Sequence, residues 1–192
     1  MSSRTAERVL SVGDLAEFTD PATGDNSVRL MIGAAYASRD GMRLLTVLGS
    51  CISVCLFDAE AGVGGMNHFM LPANTRDQIP PSDLRFGTDA MPWLIQAVTD
   101  LGARPRRLQA KVFGGGAAMG GVTRIGYSNI DYAREILTHQ AIPILAEDVG
   151  KTVSRQIRFD TDTGRAYVRY LDSGTGQSIL SDEIDQIGQL GS

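Results

Sequence analysis

A cysteine and a histidine sit on neighbouring extended runs of this sequence, and together they are the residues best suited to acyl chemistry. Cys51 follows Gly49-Ser50 and opens the run Ile52 to Asp58, and His68 lies in the next run, Val63 to Leu71. Side chains alternate faces along a strand, so Ile52, Val54 and Leu56 share one apolar face while Cys51, Ser53 and Cys55 share the other, which is small and partly polar. Two hairpin registers bring His68 to the Cys51 face. A two-residue turn at Ala59-Glu60 sets Cys51 directly opposite His68. A four-residue loop, Ala59 to Gly62, sets His68 opposite Ser53 and diagonal to Cys51. Directly opposed Cβ atoms lie roughly 4.5–5.5 Å apart, and diagonal ones remain within reach of a long side chain. An odd-length loop or a bulge would place the pair on opposite faces.

A thiol beside an imidazole supports covalent acyl transfer. The imidazole takes the thiol proton, and the thiolate attacks an amide carbon. Backbone N–H groups near Gly49, Ser50 and Cys51 are placed to bind the resulting oxyanion. The imidazolium protonates the leaving amine, and water cleaves the thioester. The structural alternatives are a buried packing cysteine and a hydrogen-bonded core histidine. Cys55 is expected to be such a packing residue. A Cys51–Cys55 disulfide is excluded on a strand, where four steps span roughly 13 Å against a Cα limit of ~7 Å. The same separation keeps the two thiols from sharing a zinc ion, so no metal or other cofactor is expected.

The elements that position this pair follow from periodicity and turn chemistry. Strands are predicted over Val28–Ala35, Arg43–Leu48, Ile52–Asp58, Val63–Leu71, Leu108–Phe113, Ile142–Ala146, Val153–Phe159 and Ala166–Leu171. Ser38-Arg39-Asp40-Gly41 is the turn expected between the first two. Helices are predicted over residues 89–101, with Pro92 in the first turn, and from a cap at Ser128 or Asn129 to about Gln140. Residues 73–87, with Pro80-Pro81, form a long polar loop. Residues 1–27 are expected as a loosely ordered extension, 28–172 as the catalytic domain, and 173–192 as a polar, frayed tail.

Composition narrows the partners. The 192 residues are 43% hydrophobic and 21% charged, with a net charge of −4 and no long basic run, so a nucleic-acid surface is not expected. No apolar stretch approaches the ~20 residues that cross a bilayer, and Met1 to Leu10 lacks the apolar core of a signal peptide, so a cytoplasmic protein is expected. Gly114-Gly115-Gly116 departs from G-x-G-x-x-G at Met119, and Gly150-Lys151-Thr152 lacks the first P-loop glycine at Leu145. Close backbone packing near the site is the preferred role for the glycine triplet. His139 is read as a surface residue at a helix C-terminus. Asn67, on the face opposite His68, is given no catalytic role.

Longer motifs add a resemblance. Leu48-Gly49-Ser50-Cys51 and Gly64-Gly65-Met66-Asn67-His68-Phe69-Met70-Leu71-Pro72 resemble the CheD family of chemoreceptor glutamine deamidases. So do Lys111-Val112-Phe113-Gly114-Gly115-Gly116-Ala117-Ala118-Met119, Ile125-Gly126-Tyr127-Ser128-Asn129 and Glu147-Asp148-Val149-Gly150. The resemblance runs from about Val28 to about Leu171. It implies Cys51 as nucleophile and His68 as general base, with a threonine of the preceding strand as third member. Thr46 is the nearest candidate, and the adjacent Leu45 would face the other way. Lys151 departs from the family, which carries a glycine there. The resemblance further implies an α/β layered sandwich of mixed and antiparallel sheets with flanking helices, akin to the cysteine-dependent deamidase domain of cytotoxic necrotizing factor toxins. The implied substrates are glutamines of methyl-accepting chemotaxis receptors, with a CheC-type phosphatase as a further partner. A non-catalytic module binding receptor or phosphatase helices is the alternative function.

Overall fold

The computed structural model describes residues 9–21, 23–39, 41–73, 83–116, 123–172, 174–176, 178, 182–183 and 186. In chain order the first strands are β1 (Val9–Val12), β2 (Leu15–Thr19), β3 (Asn26–Leu30), β4 (Ala35–Arg39), β5 (Arg43–Leu48), β6 (Ile52–Asp58) and β7 (Val63–Asn67). Then follow α1 (Gly87–Asp100), β8 (Gln109–Gly114), α2 (Thr123–His139), β9 (Ile144–Val149), β10 (Arg155–Asp160) and β11 (Ala166–Tyr170). One sheet runs β1-β4-β7-β6-β8-β9 and the other β11-β10-β5-β3-β2. Both are mixed, because β8 pairs with β9 and β3 with β5 in parallel while the other pairs are antiparallel. The class is therefore α/β with two mixed sheets.

Strand β6 lies inside its sheet, and both its faces are buried. Ile52, Val54 and Leu56 pack in one core with Met91, Leu94 and Val98 of α1 and with Ile130, Ala133 and Leu137 of α2. Cys51, Cys55 and Phe57 point into a second core with Leu44 and Leu48 of β5 and Ile157 and Phe159 of β10. The result is three layers: helices, sheet, sheet. The alternation of Ile52 to Asp58 is read correctly from sequence, but the cysteine face is not a surface. The second sheet covers it, so both cysteines lie between the sheets.

The hairpin adopts the four-residue loop. Asp58 pairs with Val63 and Cys55 with Met66, and the same register reaches the isolated pair Ile52–Phe69. Pairing is interrupted just before that bridge. The Asn67 side chain accepts a hydrogen bond from Val54 N (2.9 Å) and donates to Ala90 O (3.3 Å), replacing a strand contact with a tie to α1. His68 then bonds through its backbone to the β3–β4 turn, with His68 N to Ala34 O at 3.0 Å and Gly33 N to His68 O at 2.8 Å. His68 is thus fixed by three segments before its side chain makes any contact.

Several elements differ from expectation. The single strand expected over Val28–Ala35 is two strands, broken at Gly33 (φ +79°), where the apolar run Leu30-Met31-Ile32 hides the turn. Residues 9–12 and 15–19, expected as part of a loose arm, are strands β1 and β2 at the edges of the two sheets. Helix α1 begins at Gly87, so Pro92 lies beyond its first turn, and Pro92 is exposed. Helix α2 includes Thr123, so Asn129 is an interior helical residue and not its cap. Of the long loop expected over residues 73–87, residues 74–82, with Pro80-Pro81, lie outside the described residues, as do Ala117 to Met119.

Candidate active site

Cys51 occupies the turn between β5 and β6, and the site is built from that turn outward. Its three carbonyls are each held from behind. Gly116 N donates to Gly49 O (2.7 Å), Asn129 Nδ2 to Ser50 O (3.2 Å), and Gly115 N to Cys51 O (2.8 Å). A peptide N–H points away from the carbonyl on the same plane. Gly49 O shares its peptide plane with Ser50 N, so pinning that carbonyl turns Ser50 N forward; it and the preceding Gly49 N donate to one carboxylate, that of Glu183, at 2.6 and 2.8 Å. Two adjacent N–H groups converging on an anion are the arrangement that binds a developing oxyanion.

The glycine triplet is what allows the support. Gly114 has φ +107°, and a Cβ there would lie 2.1 Å from Cys51 O. At Gly116 a Cβ would meet Gly49 O at 2.9 Å. Arg155, wholly buried, ties the neighbouring loops together. It donates to Gly114 O (3.3 Å) and to the carbonyls of Asp148 and Gly150, and it pairs with the Asp148 carboxylate at 3.0 Å. Lys151 stands at φ +63°, a conformation that glycine adopts without strain.

Thr46 lies on β5 with Leu44 and Leu48, facing the space between the sheets. Its hydroxyl donates to Leu30 O (2.9 Å) and is 2.8 Å from His68 Nδ1. A hydroxyl has one proton, so a Thr46 group that donates to Leu30 O must accept from Nδ1–H. The network thereby assigns the proton to Nδ1 and leaves the Nε2 lone pair free. Nε2 is buried and has no hydrogen-bond partner among the described residues. Asn129 completes the frame by donating to Met70 O at 2.8 Å as well as to Ser50 O, so one amide joins the turn of Cys51 to the segment of His68.

Cys51 Sγ, a ring nitrogen of His68 and a carboxylate oxygen of Glu183 all lie within 4.8 Å of one another. Among the described residues this is the one trio of such donors close enough to share an ion. Both Glu183 oxygens are already engaged, one by Gly49 N and the other by Ser50 N and Ser50 Oγ (2.7 Å), so the carboxylate is held by amides and a hydroxyl. Burial, and then the Glu183 carboxylate, push the Cys51 thiol well above its ordinary value. Burial lowers His68 to about 4, opposed by the Leu30 carbonyl. Thiol and imidazole are both neutral at rest. Cys55 is buried and also raised by burial, and it sits on β6 away from the N–H pair.

The structure thus brings together every residue singled out from sequence: Cys51, His68, Thr46, Gly49 and Ser50. It adds two that sequence reasoning missed. Asn129 lies within the motif Ile125 to Asn129 but was read there as a helix cap. Glu183 lies in the segment expected to be a frayed tail. Beside His68 and Glu183 a groove of about 400 Å³ opens, lined also by Leu30, Ile32, Val47 and Gln186.

A family model described as CheD chemotactic sensory transduction matches residues 70–170. A protein of Hydrogenovibrio crunogenus named probable chemoreceptor glutamine deamidase CheD is 40% identical over 177 residues, covering 90% of this chain and 92% of that one. The probable chemoreceptor glutamine deamidase CheD of Laribacter hongkongensis is 37% identical over 162 residues, covering 82% and 79%. One of Anaeromyxobacter dehalogenans, CheD 1, is 42% identical over 151 residues, covering 77% and 86%.

Proposed function

This chain belongs to the CheD family, and on that premise we propose that it hydrolyses glutamine side chains of chemotaxis receptors to glutamate and ammonia through a thioester on Cys51. The observation that carries the mechanism is the chain of contacts from Leu30 O through Thr46 and His68, which leaves a bare imidazole nitrogen beside a thiol and two N–H groups. A non-catalytic binding surface has no need of that directionality.

The steps follow from the geometry. The glutamine Cδ=O takes the position between Gly49 N and Ser50 N. His68 Nε2 accepts the thiol proton as Sγ bonds to Cδ, and the N–H pair holds the oxyanion. The imidazolium, steadied by its Nδ1–H bond to Thr46, gives that proton to the leaving nitrogen, and ammonia departs. Water, deprotonated by His68, then attacks the thioester, releasing glutamate and restoring the thiol. Asn129 acts at one remove by joining the turn of Cys51 to the segment of His68, and Arg155 by tying the Gly114 loop to that of Asp148 and Gly150.

The substrate is a folded protein. A helix-borne glutamine cannot enter a deep cavity without breaking backbone hydrogen bonds, whereas its long side chain can extend into a groove. The receptors, a CheC-type phosphatase partner and the cytoplasmic setting belong to this proposal, as does kinship with the deamidase domain of cytotoxic necrotizing factor toxins. Among the described residues no helix is long and apolar enough to cross a membrane. Remote contacts should be expressed in the chemical step. A folded receptor fragment is therefore expected to be deamidated at least ~10²-fold more efficiently, in kcat/KM, than free glutamine or a short glutamine peptide. Comparable efficiency for all three would replace this reading with a small-molecule amidase.

A further inference from the structure

The acyl position described above is filled by the chain itself. Glu183 is buried, and its carboxylate accepts from Gly49 N, Ser50 N and Ser50 Oγ while lying within 4.8 Å of the Cys51 sulfur and of His68. Asp182, Glu183 and Gln186 are helical. Asp182 and Gln186 line the groove on the solvent side, and Gly176 anchors the start of the segment by accepting from Ser154 Oγ (3.3 Å). A glutamate is what deamidation of a glutamine leaves behind. Here a helical turn presents a glutamate γ-carboxylate to the two N–H groups that would bind a glutamine γ-carbonyl.

We propose that the C-terminal segment is an intramolecular product analogue, which closes the site through Glu183 and must leave before a receptor helix can enter. This rests on the deamidase reading for the identity of the site, though not for the occupancy of the N–H pair. Glu183 does not replace Thr46 as the group that orients histidine, because both its oxygens bond to the Gly49-Ser50 turn. Its charge also opposes the thiolate, as the raised Cys51 thiol reflects. A bound receptor glutamine, being neutral, removes that opposition on displacing it. The class of ligand the site accepts is accordingly a side chain ending in a γ-carboxyl or γ-carboxamide, offered from a helical turn.

A glutamine at this position is a substrate in place. In Glu183→Gln, Cys51 Sγ bonds to Cδ of residue 183, His68 passes the thiol proton to the leaving nitrogen, and ammonia departs. Water then cleaves the thioester to give a carboxyl. The variant should convert itself to the wild-type sequence, seen by peptide mass as exchange of NH2 for OH at residue 183. Glu183→Gln with Cys51→Ala should keep its glutamine. In Glu183→Ala, removal of the occupant should raise both iodoacetamide labelling of Cys51 and kcat/KM on a receptor fragment by about tenfold, the factor expected when nine-tenths of the sites are closed at rest. A thermal melt of each variant establishes that it is folded.

Retention of glutamine at residue 183, with unchanged labelling and unchanged receptor deamidation in Glu183→Ala, would overturn the closure proposal while leaving the deamidase intact. Faster Cys51 labelling with no deamidation of either residue 183 or receptor would uphold closure and overturn the deamidase. If Glu183→Ala does not fold, conversion of the near-isosteric Glu183→Gln still decides.

Discussion

Cys51→Ala is expected to lower deamidation of a receptor fragment by about 10⁴-fold or more while leaving the fold intact, because Cys51 is the thiol that lies with His68 beside the N–H pair. The substitution removes one small buried sulfur between the sheets, and the backbone bonds of the turn, Gly115 N to Cys51 O among them, need no side chain. Its stability cost should be of the order of 1 kcal/mol. Cys55→Ala is the matched control. It is buried on the same face of β6 and should cost a similar amount of stability, with activity retained. Initial rates by ammonia release, with urea melts on the same preparations, separate the two. Loss of chemistry in a folded Cys55→Ala protein would mean that the nucleophile is Cys55 or that both thiols act.

The second large effect falls on His68. His68→Gln should lower the rate by roughly 10²- to 10⁴-fold, the usual worth of a positioned acid–base group. Thr46→Val, which leaves Nδ1–H buried without its acceptor, should cost roughly one to two orders of magnitude. The pH dependence of stability offers a separate signature. His68 is held at about 4 in the folded chain by burial, against 6.5 when unfolded, so between those values the unfolded chain binds a proton that the folded chain does not. Its contribution is complete above pH 6.5 and is lost as pH falls towards 4, a change on the order of 3 kcal/mol. Urea midpoints at pH 7 and pH 4.5 should fall less in His68→Gln than in the wild type. Parallel losses in the two proteins would mean that His68 is not buried neutral.

The hairpin was legible in sequence because it is local. The alternation of Ile52 to Asp58, the turn and the apolar return run fix which residues share a face, and either even-length loop brings His68 to Cys51. The contact of Thr46 with His68 emerges only in three dimensions. Its strand belongs to the other sheet, and no local pattern says that Leu44, Thr46 and Leu48 face inward over β6, although their period of two is present. Close packing is the role that sequence suggests for Gly114 to Gly116, but what they pack against, the carbonyls of Gly49 and Cys51, is set by pairing between β6 and β8. Asn67 and Asn129 illustrate a different limit. Periodicity ranks polar residues as outward, whereas each of these is buried and bonds through its amide to backbone groups of other elements. Glu183 was least legible, since a polar, weakly periodic segment reads as a tail. Its place is determined by a pair of distant N–H groups that no sequence pattern advertises.

Rapid acid quench of a reaction between the protein and a folded receptor fragment, followed by intact-mass analysis, tests the central claim most directly. The expected result is a covalent species with the mass of enzyme plus fragment less ammonia, mapped by peptide mass to Cys51 and a receptor glutamine, and absent in Cys51→Ala. Glutamate forming at the wild-type rate with Cys51→Ala, with no such adduct in either protein, would contradict it.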